Sequence, residues 1–130
     1  MPHITLDYSA NMEERTDIAA LCSHLRQAAA ATGVFPLAGI RVRAFAASHV
    51  SIADGGAQHG YIDISVRLRA GRDLDTRKRA ARTLFDAAQA FLAEAMQQHS
   101  IALSLEMRDI DPGLSPKCGT IRDHMQKADQ

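Results

Sequence analysis

The chain has no surplus of charge of either sign. Its 130 residues carry 15 Lys plus Arg against 15 Asp plus Glu, a formal net charge of zero. The broad attraction that draws a protein to nucleic acid or to an acidic membrane is therefore missing. Long apolar runs are missing too, and no charged segment followed by an apolar one opens the chain. The expectation is a soluble cytoplasmic protein without membrane or nucleic-acid partners. Cysteine is scarce: Cys22 lies in an apolar helical stripe and Cys118 in a polar C-terminal segment. Neither belongs to a CxxC or Cys/His spacing, so reduced thiols are expected rather than a disulfide. The six histidines form no HxxxH or HxH pair and have no acidic ligand cluster beside them, which argues against a metal site. No serine stands in a nucleophile-elbow context, so a hydrolase triad finds no support.

What is present is an ordered alternation of periodicities. The length suits one core, and 1–130 reads as a single domain. Pro2 to Tyr8 alternates apolar and polar residues as a strand does. Asp17 is placed to cap a helix whose stripe is Ile18, Leu21, Cys22, Leu25, Ala28, Ala29 and Thr32, with Gly33 at the left-handed position beyond its end. A turn with Pro36 and Gly39 leads to a second strand, Ile40 to Ala46. After the turn signal Ala53-Asp54-Gly55-Gly56 the order recurs. Tyr61 to Leu68 is a third strand and Asp75 a candidate cap. A long helix follows, with Ala81, Leu84, Phe85, Ala88, Phe91, Leu92, Ala95 and Met96 on one side; Ile101 to Met107 is a fourth strand. The fold class is α+β: two β-α-β units, about 2–47 and 60–108, forming a four-stranded sheet with both helices on one face. The arm 109–130, with Pro112, Gly113 and Pro116, is too polar for core and is expected to end in a short helix, Ile121 to Gln126. Arg41, Arg43, Phe45, Tyr61, Asp63, Ser65 and Arg67 fall on the uncovered sheet face. That mixture predicts packing against other subunits.

Pro2 is the residue with the most chemical potential. A small second residue favours removal of Met1, which turns the Pro2 nitrogen from an amide into a rigid secondary amine. Such an amine is a general base if its pKa is brought near neutrality. A cation about 8 Å away, at an effective dielectric near 20, disfavours the protonated amine by roughly 2 kcal/mol. One nearby arginine plus desolvation suffices for the tuning.

Pro2-His3, the block Ala30 to Arg43 (AATGVFPLAGIRVR), Ala53-Asp54-Gly55, Ala70-Gly71-Arg72 and Leu103-Ser104-Leu105-Glu106 together carry a resemblance. Over nearly its whole length the sequence resembles the 5-carboxymethyl-2-hydroxymuconate isomerases of the tautomerase superfamily. The resemblance implies a homotrimer, no cofactor, and a small carboxylate substrate of the homoprotocatechuate (4-hydroxyphenylacetate) branch of aromatic catabolism. It implies a proton shuttle from the 2-hydroxyl to C5 with Pro2 as the catalytic base, and substrate binding by Arg41 and Arg72. Arginine suits that role because it presents planar, bidentate donors and does not deprotonate. Arg43 shares the face of Arg41 and is expected to salt-bridge between subunits or to bind a carboxylate. Phe35 and Phe45 are core or pocket wall. The segment Ser115 to Thr120 matches the family only loosely, so no site residue is carried into it.

Two other readings use the same scaffold. In a decarboxylase or dehalogenase the proline has the opposite protonation state and a carboxylate orients water, for which Asp54 or Asp63 would have to be recruited. In a non-catalytic anion-binding trimer, Pro2 is incidental.

Overall fold

In the computed structural model, which describes residues 1–126, the four expected strands form one sheet in the order β2-β1-β3-β4. β1 (Pro2–Ser9) pairs in parallel with β2 (Arg41–Ala47) and antiparallel with β3 (His59–Arg69), which pairs in parallel with β4 (Ser100–Ile110). Each parallel pair is bridged by helix, as a crossover connection requires. The second and third strands begin or end one or two residues from the expected positions, and β4 runs three residues further, to Ile110.

α1 (Ile18–Ala31) starts where Asp17 accepts a hydrogen bond from the Ala20 N–H at 3.0 Å, satisfying a donor that the helix itself cannot. It stops at Gly33, whose φ of +69° is the left-handed conformation that glycine adopts without penalty. The second cap differs from expectation. Asp73, not Asp75, holds the extended conformation before α2 (Leu74–Phe91) and accepts from the Thr76 N–H at 2.7 Å. Asp75 lies inside the first turn, where its charge faces the positive helix end. The long second helix is also interrupted. Leu92 leaves helical geometry (φ −93°, ψ 4°) and α3 (Ala93–Gln98) resumes after it, a bend that keeps both Leu92 and Ala95 buried.

The alternation of β1 and β3 decides where the core sits. Pro2, Ile4, Leu6, Ile62, Ile64, Val66 and Leu68 point to the helices and are fully buried against Leu21, Leu25, Leu84 and Leu92. The opposite face is bare of helices. Phe45 is 57% exposed there, and the polar side chains pair among themselves: Tyr61 Oη donates to Asp7 at 2.7 Å, Ser104 to Asp63 at 2.7 Å, and Arg108 to Ser65 at 3.1 Å. Burial and the Asp7 carboxylate push the Tyr61 hydroxyl up to about 12. After β4 the chain is an extended arm. Among the described residues beyond Ile121, the 3-10 turn Arg122–His124 stands in place of the full helical segment to Gln126, and positions 127–130 of the expected arm lie outside the described residues. Among the described residues, no helix is long and apolar enough to cross a membrane.

The caps give a direct check. Asp73→Ala is expected to lower the urea midpoint more than Asp75→Ala, because only Asp73 satisfies an orphan helix donor. Equal effects would contradict the assignment.

Candidate active site

A cleft of about 590 Å³, within the range of small-molecule sites, opens at the start of β1. Its walls come from all four strands and from the arm, with Ile110 at the end of β4. Met1 and His3 belong to the start of β1, Gly39 and Arg41 to the turn into β2, Arg67 to β3, and Ser115 to Gly119 to the arm. Pairing fixes this arrangement, since His3 lies opposite Arg41 on one side and Arg67 on the other. Gly39 is required by close approach: a Cβ there would collide with the Met1 amine and lie 2.9 Å from the Met1 Cα.

Pro2 itself is fully buried and in register with Leu68. Its ring faces the core, and its nitrogen is bonded to Met1, whose amine stands at the cleft in place of the prolyl amine of a processed chain. That Met1 amine lies below its ordinary value of 8.0. Burial is the largest cause, followed by the charges of Lys117, Arg72, Arg41 and Arg69. A smaller recess of about 220 Å³ shares Met1 and Lys117 with the cleft and adds Arg69 to its lining. The start of β1 is thus a place where positive charge accumulates and a neutral amine is favoured.

The three residues singled out from the sequence do not all play one part. Arg41 is half-buried in the cleft wall, with Nη1 donating to the Gly39 carbonyl at 3.4 Å. Arg72 is not in that wall. Its Nε and Nη2 both donate to the Val34 carbonyl, at 3.2 and 3.1 Å, and Nη1 donates to Arg69 O at 3.1 Å. The guanidinium lies 5.6 Å from the centre of the Phe35 ring, itself part of the core. Arg72 therefore reaches the amine by its field, with its donors engaged by backbone. Arg43 donates to His3 Nδ1 at 3.2 Å.

Sequence reasoning missed Arg67, His3 and the arm. Strand alternation had placed Arg67 on the uncovered face, but only the β1–β3 register puts it beside His3. Lys117 carried a weak signal, a cation held between Pro116 and Gly119, and no local pattern says where such an arm will lie. Among the described residues, the walls of the cleft hold Arg41, Arg67, Lys117 and Arg122, and no Asp or Glu. Asp54 and Asp63 are elsewhere, the first bonded to His59 at 2.7 Å and the second to Ser104. Such a cleft suits a multiply charged carboxylate.

The sequence model of the family described as 5-carboxymethyl-2-hydroxymuconate isomerase matches residues 2–125. The chain belongs to this family. The 5-carboxymethyl-2-hydroxymuconate Delta-isomerase of Escherichia coli is 34% identical over 117 residues, 90% of this chain and 93% of the relative. A crystal structure of a 5-carboxymethyl-2-hydroxymuconate delta-isomerase superposes with a TM-score of 0.90 at 32% identity, covering 98% of this chain and 94% of that one. The fold alone extends further. A wild-type fused 4-OT, described as a symmetric trimer, matches with a TM-score of 0.67 at 17% identity, over 89% of this chain and 93% of that one. The two β-α-β units read from the sequence thus belong to a tautomerase-like fold.

The influence of these cations on the terminal amine is measurable. Lys117→Met is expected to raise the N-terminal amine pKa toward its ordinary value, because removing a cation removes a repulsion felt only by the ammonium form. The pH dependence of reductive methylation of the terminus reads it; an unchanged profile would place Lys117 too far away to matter.

Proposed function

We propose that this protein is an isomerase that moves a proton from the 2-hydroxyl to C5 of 5-carboxymethyl-2-hydroxymuconate, in the catabolism of homoprotocatechuate, with Pro2 as the base after Met1 is removed. The observation that carries the reading is the cleft itself: the N-terminus of a central strand opens into a space walled by Arg41, Arg67 and Lys117, with no carboxylate side chain in its lining among the described residues.

The chemistry follows from that placement. A neutral Pro2 nitrogen takes the hydroxyl proton, and the O–H pair becomes the C2 carbonyl bond. The C2–C3 π pair moves to C3–C4, and the C4–C5 π pair takes the proton back from the prolinium at C5. The product is the 2-oxo-3-ene, atoms and electrons balance, and one base serves both halves. Arg41 pairs with a substrate carboxylate and, with Arg67 and Lys117, stabilises the negative charge of the dienolate. Arg72 supports the site from behind, through its charge and its grip on the Val34 carbonyl. Among the described residues, the lining holds no Asp or Glu of the kind that a decarboxylase or dehalogenase would use to orient water.

The assembly proposed is a homotrimer. The uncovered face, the exposed Phe45 and the unpaired outer edges of β2 and β4 supply surface for it, and β-edge pairing removes an aggregation hazard.

Two experiments test the reading, each on protein whose Met1 status is fixed by intact mass. Following the dienol by its ultraviolet absorbance, Pro2→Ala is expected to lose about 10²–10⁴-fold in kcat/KM. Retained Met1 is expected to abolish activity. In both, light scattering should still report three 14.1 kDa chains. Full turnover by the Met1-retaining chain, or no turnover by the processed wild type, would sink the proposal. Arg41→Ala is expected to cost ~2–5 kcal/mol in transition-state stabilisation. Arg72→Ala should cost less and move the rising limb of the kcat/KM profile to higher pH, because its charge helps keep the amine neutral. Wild-type behaviour in both would show that neither arginine takes part in catalysis.

A further inference from the structure

His3 lies in the cleft wall, and the chemistry of its hydrogen-bond partners determines its tautomer. Arg43 Nη1 lies 3.2 Å from His3 Nδ1. A guanidinium has donors and no acceptor, so Nδ1 must be the accepting, unprotonated nitrogen. The ring proton is then on Nε2, which lies 3.1 Å from the Met1 sulfur, a weak acceptor. Arg41 and Arg67 stand opposite His3 on the neighbouring strands. Burial, then the charges of Arg67, Arg43, Arg41 and the N-terminus, hold the imidazole below its ordinary value of 6.5 and so keep it neutral. The acceptor that Nε2–H faces belongs to Met1, and it leaves when Met1 leaves.

From this arrangement, and resting on the isomerase reading above, we infer that His3 is a catalytic hydrogen-bond donor: in the processed enzyme its Nε2–H points into the cleft and binds the 2-oxygen of the substrate as that oxygen becomes negative. Arg43 is a positioning residue that fixes the tautomer from the far side of the ring. The donor keeps its proton throughout. Pro2 carries the only proton that moves, and the neutral imidazole lends a dipole where charge develops. A protonated imidazole could not accept from Arg43, and the other tautomer would present a lone pair to the oxygen and repel it. The assignment also separates His3 from the arginines, which hold carboxylates as full charges.

The test uses processed wild type, His3→Phe, His3→Gln and Arg43→Met, with the dienol as substrate and ¹⁵N spectra of the imidazole as an independent readout. Wild type is expected to show the Nε2–H tautomer from pH 6 to 8, and Arg43→Met a mixture, with lower kcat. His3→Phe is expected to lose about 10²–10³-fold in kcat with KM little changed, the cost of one oxyanion donor. His3→Gln, which restores an N–H, should recover much of it. A purely packing role would change stability and KM instead, and Gln would not rescue. Wild-type kcat in His3→Phe, or an Nδ1–H tautomer in the wild type, would overturn the inference while leaving Pro2 and Arg41 in place. A processed wild type that does not isomerise the dienol would overturn the reading of the site and the donor role together.

Discussion

Everything functional in this molecule depends on β1 being hydrogen-bonded along both edges. Chain termini usually fray because nothing ties their backbone down. Here the first strand lies between β2 and β3, paired from His3 on one side and from Pro2 on the other, while Pro2, Ile4 and Leu6 are sealed in the core. Moving the first residues would break two ladders and expose apolar surface. In the proposed reaction, that rigidity would hold the terminal amine in place as a base for two atoms of one substrate, with proximity and orientation supplied before the substrate arrives.

The same pairing arranges the charge. A chain with no net charge still gathers Arg41, Arg67 and Lys117 around one cleft, with Arg69 and Arg72 close enough for their fields to be felt at the terminus. Several carboxylates are engaged elsewhere: Asp17 and Asp73 cap helices, Asp7 and Asp63 bond Tyr61 and Ser104 on the open face, and Asp54 holds His59. Cations left together without acids repel one another and disfavour the ammonium form of the amine. An anionic ligand would relieve that repulsion, so the charges that lower the amine pKa are the same ones that would attract a carboxylate.

The arm after β4 contributes differently. It buries little, yet Ser115 to Gly119 forms one wall of the cleft and delivers Lys117. Such a segment adds recognition without adding to the core, as loops on a rigid scaffold commonly do.

The sequence by itself determined the elements and their sides. Ile18, Leu21, Leu25 and Ala29 recur with the helical period, Ile62 to Leu68 alternates with the strand period, and Gly33 marks a left-handed stop, because these are local consequences of backbone geometry. The choice between Asp73 and Asp75 as cap was not legible, since both are capable acids two residues apart and only the backbone conformation separates them. Resemblance directed attention to Pro2, Arg41 and Arg72, but it could not tell a guanidinium in the cleft from one committed to the Val34 carbonyl. Only the tertiary structure decided that, along with the neighbours of His3 and the place of Lys117. Each depends on which residues meet across strands or along an arm far apart in the chain, and register and docking are set by packing of the whole core, not by any local pattern.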